Sequence, residues 1–517
     1  MLLAALLVLL AGWLAVGPWS LLLFVVALAV PVVRRRLRPR RWTVLALVVL
    51  GAAAVVTVAV LPDGRLPIPP GGGLLVTPAY VGHAATPRPL ELGTVPQHPH
   101  LAPNGGSSMH DDAWATDSYV GAGPLGVDPE VSSAWYGLEE CATLAFDRDD
   151  RLVALCGNRS GPVLHLLDPD TMRPLTTLDL PDREPSDRRP WEDLCGGAYF
   201  YLDADDRAVV ATTDRRVLTV ETPSLRVVDE ADLGDRVPDD DCLVAVLPDW
   251  AGHTWYVTQD GRAGATEGAA PLELGGEVAN SVAVDETGLY LVTTAELVKV
   301  ALDDTGAPQV LWRTAYENAG EHKPGQLSAG SGTTPTVLPG GLVAITDNAE
   351  PRMHVQFYDG ADGRLVCQAP VFGADRSATD NSLVAVGDAS VVVENNHGYT
   401  APWSTVVGRA PAGGLARVDA DGGECSVAWT SDEVAPTSVA KVSLATGLVY
   451  AYTTRSSWWG VSAWYLTAID ARTGATAFSV RTGTGTLFNN HYAAVTLGPD
   501  GSAYVATLGG MVRIRDR

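Results

Sequence analysis

Residues 438–480 read SVAKVSLATGLVYAYTTRSSWWGVSAWYLTAIDARTGATAFSV. Two turn signals, LATG at 444–447 and DARTG at 470–474, each lie between runs of apolar, β-branched and aromatic residues. An apolar run, a Gly-containing turn and a second apolar run make a β-hairpin. Two hairpins in series make a four-stranded antiparallel sheet, the unit of a β-propeller.

The pattern recurs along the chain. Further first hairpins begin at ATLAFDRDDRLVALC (142–156), AYFYLDADDRAVVATT (198–213), LVAVLPDWAGHTWYVT (243–258), SVAVDETGLYLVTT (281–294), TPTVLPGGLVAITD (334–347), SLVAVGDASVVVEN (382–395) and YAAVTLGPDGSAYVAT (492–507). Second hairpins turn at LLDPDTMRPLTTL, ALDDTGAPQVLW, YDGADGRLVCQA and VDADGGECSVAW. A repeat of about 35–55 residues is in the range of propeller blades. The predicted fold is all-β, a β-propeller of about eight four-stranded blades, with seven as the alternative count and a linear β-solenoid as the alternative architecture. The last unit, from Asn490 to Arg517, runs out after roughly three strands. A strand near HDDAWATDSYVG (110–121) is expected to complete it, because closing the ring removes an exposed edge.

The N-terminal part differs sharply in composition. Met1 to Val33 and Trp42 to Leu61 are apolar, separated by RRRLRPRR at 34–41. The predicted domains are a transmembrane anchor at 1–61, with helices at about 2–33 and 42–61, a Pro/Gly-rich linker at 62–110, and the propeller at 111–517. Gly17-Pro18 interrupts the first apolar stretch, which is either one long kinked helix or a hairpin of two short ones. Arginines beside membrane helices stay on the cytoplasmic side, so 34–41 is read as a cytoplasmic loop and the large domain as extracytoplasmic. The expected location is the cell membrane, multi-pass. Trp13, Trp19 and Trp42 sit where interfacial aromatics are expected. The linker reads as an extended spacer lifting the domain off the membrane.

All six cysteines fall in the large domain, an even number that fits disulfides outside the cell. Cys141 and Cys156 are symmetric about a turn near Arg148-Asp149 and lie opposite each other in a hairpin. Cys195 with Cys242 and Cys367 with Cys425 are the remaining candidate pairs. The formal net charge is −24, and the arginines of 34–41 lie outside the large domain, which is therefore more acidic still. Such a surface repels phosphate backbones and argues against nucleic-acid binding.

AIDARTGATAF (468–478) resembles the A-x-D-x-x-T-G-x-x-x-W repeat of quinoprotein (pyrroloquinoline-quinone-like) propellers. It matches at Ala468, Asp470, Thr473 and Gly474, with Phe478 in the tryptophan position. The resemblance covers the layout of about 110–517 and implies the architecture. The adjacent cysteine pair found beside the cofactor in many quinoprotein dehydrogenases is missing, so bound pyrroloquinoline quinone is not expected. A P-loop, a G-x-S-x-G elbow, C-x-x-C and H-E-x-x-H are absent as well.

Polar residues precede the first strand of most units: Glu139-Glu140, Glu192-Asp193, Asp240-Asp241, Asn280-Ser281, Thr333-Thr334, Asp380-Asn381, Thr437-Ser438 and Asn489-Asn490-His491. In a propeller these positions ring one mouth of the central channel. Glu140, Asp193, Asn280, Asn348, Asn381, Asn396 and Asn490 are the candidate ligands for Ca²⁺, which takes oxygen donors. The arrangement is similar to that of calcium-dependent lactonase propellers. The plain alternative is turn chemistry, since Asp, Asn, Ser and Thr satisfy local backbone groups. ENNHGY and FNNHY each place a histidine after an Asn pair, which makes His397 and His491 candidate general bases. His110, Asp111, Asp112, Trp458 and Trp459 are candidate ligand-binding residues. Three functions fit, in this order: a binding module for a small molecule or protein outside the cell, a calcium-dependent hydrolase or lactonase, and a quinone-dependent oxidoreductase.

Overall fold

The computed structural model describes residues 2–37, 41–158, 161–183, 195 and 199–517. Eight sheets form the blades of a closed propeller, seven of them four-stranded and antiparallel and the eighth, blade 7, extended to six strands by Tyr80–Gly82 and Ser118–Tyr119. Blade 1 runs from strand Glu140–Phe146 to Pro174–Asp179, and blade 2 from Phe200–Leu202 to Arg226–Asp232. Blades 3 to 6 start at Leu243, Ala283, Thr336 and Val384, and blade 7 runs from Lys441–Ser443 to Thr476–Thr484. The first strand of each blade is its innermost. Outermost strands alternate or lie open, as in the half-exposed Pro174–Asp179, while inner ones such as Leu243–Pro248 are buried throughout.

Blade 8 combines the last three strands, Val495–Leu497, Ala503–Thr507 and Gly510–Arg515, with the early strand Glu130–Trp135. The closing strand is therefore Glu130–Trp135, and not the 110–121 segment read from the sequence. That segment lies inside the ring, where Ser118–Tyr119 pairs in parallel with the inner strand of blade 7. Its pairing edge is spent on the axis, so it is not available to the outer edge of blade 8.

Neighbouring blades lock at their outer turns. Trp429 of blade 6 lies against Gly474 of blade 7 and donates from Nε1 to the Ala471 carbonyl at 2.9 Å. Gly474 has φ +71, and a Cβ there would stand 2.6 Å from the indole. Asp470 Oδ1 holds the same turn by accepting from the Arg472 and Thr473 N–H groups at 2.9 and 3.0 Å. This is the physical content of the D-x-x-T-G motif. Phe478, in the motif's aromatic position, instead stacks on Tyr80 with ring centroids 6.2 Å apart.

Among the described residues, four helices precede the propeller: α1 (Leu2–Val16), α2 (Pro18–Ala29), α3 (Pro31–Arg36) and α4 (Arg41–Val60). Only α4, among the described residues, is long and apolar enough to cross a membrane by length and composition, and α1 and α2 are shorter apolar helices. The first apolar stretch folds as a hairpin: a Cβ on Gly12 would lie 3.1 Å from the Ser20 Cβ. Gly17, at φ +70, makes the reversal, and Pro18 opens α2 where its missing N–H costs nothing.

Residues 62–110, read from the sequence as a spacer, are bound along the propeller. Trp135 N–H donates to the Leu66 carbonyl at 2.8 Å, and Tyr80–Gly82 adds a strand to the outer edge of blade 7. The chain then crosses the turns beneath blades 7, 6, 3 and 2, through Leu90 N–H to Leu444, Gly93 N–H to Asp388, His98 against Trp250, and Ala102 N–H to Leu202. A Pro- and Gly-rich segment has no periodic face to bury, but its extended backbone pairs readily with exposed loops and edges.

All three expected disulfides form: Cys141–Cys156, Cys195–Cys242 and Cys367–Cys425. Cys141 and Cys156 are direct partners across the first hairpin of blade 1. Cys367 and Cys425 join the outermost strands of blades 5 and 6. Replacing both Cys367 and Cys425 with Ser is expected to lower unfolding stability by about 2–4 kcal/mol, read by denaturant titration. An unchanged midpoint would mean that the blade 5–6 contact does not need the link.

Candidate functional site

The inner strands of a propeller present N–H groups to the axis, and here residues 101–121 fill that space. Leu202 donates to the Ser107 carbonyl at 2.7 Å, Val284 to Ala113 at 2.7 Å and Val337 to Trp114 at 2.9 Å. Ala385 donates to Thr116 at 2.9 Å, Val442 to Asp117 at 3.0 Å and Leu444 to Tyr119 at 2.8 Å. One insert thus pairs with the inner strands of blades 2, 4, 5, 6 and 7.

Its side chains form a buried charged centre. Lys441, on the inner strand of blade 7, is fully buried and donates to the Asp117 carboxylate and to the Met109 carbonyl. His110 Nδ1 lies 3.1 Å from Asp117 Oδ1, and its Nε2 lies 3.3 Å from the Thr334 hydroxyl. Asp112 caps the local turn, accepting from Trp114 N–H at 2.9 Å and from the Thr116 hydroxyl. Burial pushes its carboxyl up to about 7. Asp111 is wholly buried, with its carboxylate beside the Tyr119 hydroxyl. Burial drives its pKa well up, against the opposing pull of Lys441.

The opposite end of the axis is covered by residues 317–332, which connect blades 4 and 5. Tyr492 of blade 8 donates its hydroxyl to the Gly325 carbonyl at 3.2 Å, and Gly398 N–H donates to Pro324 at 2.8 Å. Leu327 N–H donates to Asp380, and Lys323 Nζ reaches the Ala349 carbonyl at 2.9 Å. Gly325 has φ +113, and a Cβ there would lie 2.3 Å from the Asn396 carbonyl oxygen, so glycine is required for the cover to close.

The polar ring read from the sequence lies beneath this cover, and most of its amides brace neighbouring elements. Asn280 accepts from the Tyr199 hydroxyl at 3.1 Å and donates to Gly332. Asn348 donates to the Ser331 and Thr379 carbonyls at 2.6 and 2.7 Å and accepts from Thr379 N–H at 2.9 Å. Asn396 accepts from Asp380 N–H at 2.9 Å and donates to Ala435 at 3.4 Å. Asn490 accepts from the Thr437 hydroxyl at 3.2 Å and donates to Ala493 at 3.0 Å. Asn381 donates to Glu394 at 2.5 Å and to Ser438, leaving its own oxygen without a partner. Glu140, Asp380 and Glu394 each also keep one oxygen unpartnered, and burial raises all three pKa values well above the usual range. Asp193 lies outside the described residues.

The two N-N-H strings are one local structure used twice. Asn395 Oδ1 accepts from His397 N–H at 3.1 Å, and Asn489 Oδ1 accepts from His491 N–H at 3.1 Å. In each, the second Asn is the brace just described. The histidines face different surroundings. Burial, then Lys323 and Arg376, lowers the pKa of His397, whereas His491 Nδ1 sits 3.0 Å from the Tyr399 hydroxyl. Trp458 and Trp459 lie with ring centroids 4.1 Å apart at a tilt of 32° on the loop between the second and third strands of blade 7, away from His110, Asp111 and Asp112 on the insert.

Among the described residues, one group of three His, Cys, Asp or Glu has ligand atoms close enough for a metal: Glu139, Cys156 and His165. Cys156 is spent in its disulfide, and His165 Nε2 is already bonded to Glu139 Oε1 at 2.6 Å. A recess of 340 Å³ lies on the face opposite the cover, where the insert enters, lined by Pro103, Tyr119, Phe146, Asp150, Asp206 and Leu497. Sequence reading missed Lys441, Asp117 and Glu394. Lys441 left a signal, a lone cation inside the apolar run SVAKVS.

No protein-family profile matches the chain. An uncharacterised protein of Archaeoglobus fulgidus is 27% identical over 274 residues, 47% of this chain and 53% of that one. The chain thus spans about half the length of the curated relative it matches. Quinohemoprotein alcohol dehydrogenase from Comamonas testosteroni superposes with a TM-score of 0.50 at 13% identity, over 80% of each chain. The fold is that of the quinoprotein-type propellers. A europium-containing methanol dehydrogenase gives 0.47 at 11% identity, over 78% of this chain and 89% of its own. At these identities the likeness concerns architecture and leaves the chemistry to the residues.

Asp112 supplies a pH test. With a pKa near 7 when folded and in the ordinary carboxylate range when unfolded, it holds its proton longer in the fold. The folded state then binds more protons between those values, so this group's contribution is lost as pH rises through about 7. Asp112→Asn is expected to flatten the fall in melting temperature between about pH 5 and 7.5. An unchanged slope would mean that Asp112 is ionised in the fold.

Proposed function

We propose that this chain is a membrane-anchored extracytoplasmic propeller that serves the cell envelope as a binding module. The observation that carries this reading is the closed axis. The insert 101–121 fills it, residues 317–332 cover it, and most amides of the polar ring are committed to bracing. Ligand recognition then falls to the surface, and the open recess beside Tyr119 and Phe146 is the site of choice. An apolar floor with a few polar groups suits a small molecule or a protruding side chain of a protein partner.

The anchor follows from charge and length. Arginines 34–41 stay inside, α4 crosses outward, and the three disulfides fit the oxidising side. The multi-pass anchor expected from the sequence is not supported, because α1 and α2 are each too short to cross a bilayer.

A second reading is a calcium-dependent hydrolase. It is favoured by the buried, unpartnered oxygens of Glu140, Asp380, Asn381 and Glu394, each an oxygen donor of the kind Ca²⁺ takes. Thermal unfolding of the full chain with calcium or with chelator separates the two readings. Under the first, Asn396→Ala and Asn490→Ala each cost about 1–3 kcal/mol, equally in both conditions. A calcium-dependent rise in the wild-type melting temperature, with bound metal, contradicts it and puts the hydrolase first.

A further inference from the structure

The apolar helices meet the propeller at one place. The last carbonyls of α1 are capped from the segment after α4: Gly73, Leu74 and Leu75 N–H donate to Trp13, Leu14 and Ala15 at 3.0, 2.8 and 3.0 Å. Helix ends leave such carbonyls without partners, so this contact fixes where α1 stops. The turn at Gly17-Pro18 rests on the propeller, with Pro18 beside Gly460 and Gly17 against Val461. Trp19 at the start of α2 meets Trp459 edge-on at 6.5 Å, and Trp459 lies against Trp458.

Around this junction the surface is apolar and exposed. Leu75 is 82% exposed, Trp458 75%, Val407 64% and Trp403 52%. The three stretches that present them, 69–77, 402–408 and 456–461, contain no charged residue, on a domain otherwise strongly acidic. They are loops of the covered face. Residues 402–408 and 456–461 each connect the second and third strands of a blade, on the side opposite the recess. Exposed tryptophans on an uncharged patch, continuous with apolar helices, match the chemistry of the lipid–water boundary, where an indole buries its ring and keeps its N–H wet.

We propose that 402–408 and 456–461, with Leu75, seat the covered face of the propeller in the interfacial layer of the bilayer. The domain does not swing on its anchor. Its axis points at the membrane, and the recess faces away from it. This rests on the membrane reading of α4.

The test uses the full chain labelled with 5-fluorotryptophan in phosphatidylcholine–phosphatidylglycerol nanodiscs. Trp458→Phe and Trp403→Phe assign two fluorine resonances, and both side chains are exposed enough for the fold to tolerate the change. Trp42→Phe assigns a third, at the start of α4. Headgroup spin-labelled lipid is expected to erase the Trp458 and Trp403 signals, while a soluble gadolinium chelate leaves them. Loss of the Trp42 signal to labelled lipid, with Trp458 and Trp403 lost only to the chelate, overturns the seat and keeps the anchor. No loss to labelled lipid at any of the three overturns both.

Discussion

Eight inner strands converge on one axis, and each brings an edge of backbone N–H and C=O groups that must be satisfied. Water does this in an open channel. Here the chain does it itself, with carbonyls from Ser107 to Tyr119 taking donors from five blades. Much else follows from that choice. The N-terminal segment has to run beneath the propeller to reach the axis, and the closing strand has to come after it, at Glu130–Trp135. The insert also needs a cation to offset its carboxylates, which is the place of Lys441 beside Asp117.

The same economy explains the polar ring. Buried side-chain amides that span two blades satisfy backbone groups at the joints where strand ladders stop. Asn348, Asn396 and Asn490 do this at successive positions, each bonded to groups of its own and an adjoining segment. Wholly buried carboxylates such as Asp111 and Glu394 are pushed toward the protonated form, and their raised pKa values are the cost of enclosing them.

Architecture was legible in the sequence because it is written locally and repeatedly. Each hairpin carries its own turn residues, and Cys141 and Cys156 state their partnership by symmetry about one turn. The axis was not legible, because it depends on which distant segment enters it. HDDAWATDSYVG has a strand's composition, and composition alone cannot distinguish an outer edge from an inner one. The Asn ring was found by position with its role left open between bracing and ligation, since an amide that braces and an amide that ligates occupy the same loop. Pro- and Gly-rich residues 62–110 suggested a free spacer, although extended backbone without a periodic face can also lie along a surface.

The central claim is that the chain's own insert closes the axis. Amide hydrogen exchange of the full chain, read at Leu202, Val284, Val337, Ala385, Val442 and Leu444, tests it most directly. Inner-edge amides bonded to the insert should exchange as slowly as those inside the blade ladders. Rapid exchange at these six positions, with the ladders still protected, would show an open channel and contradict the account.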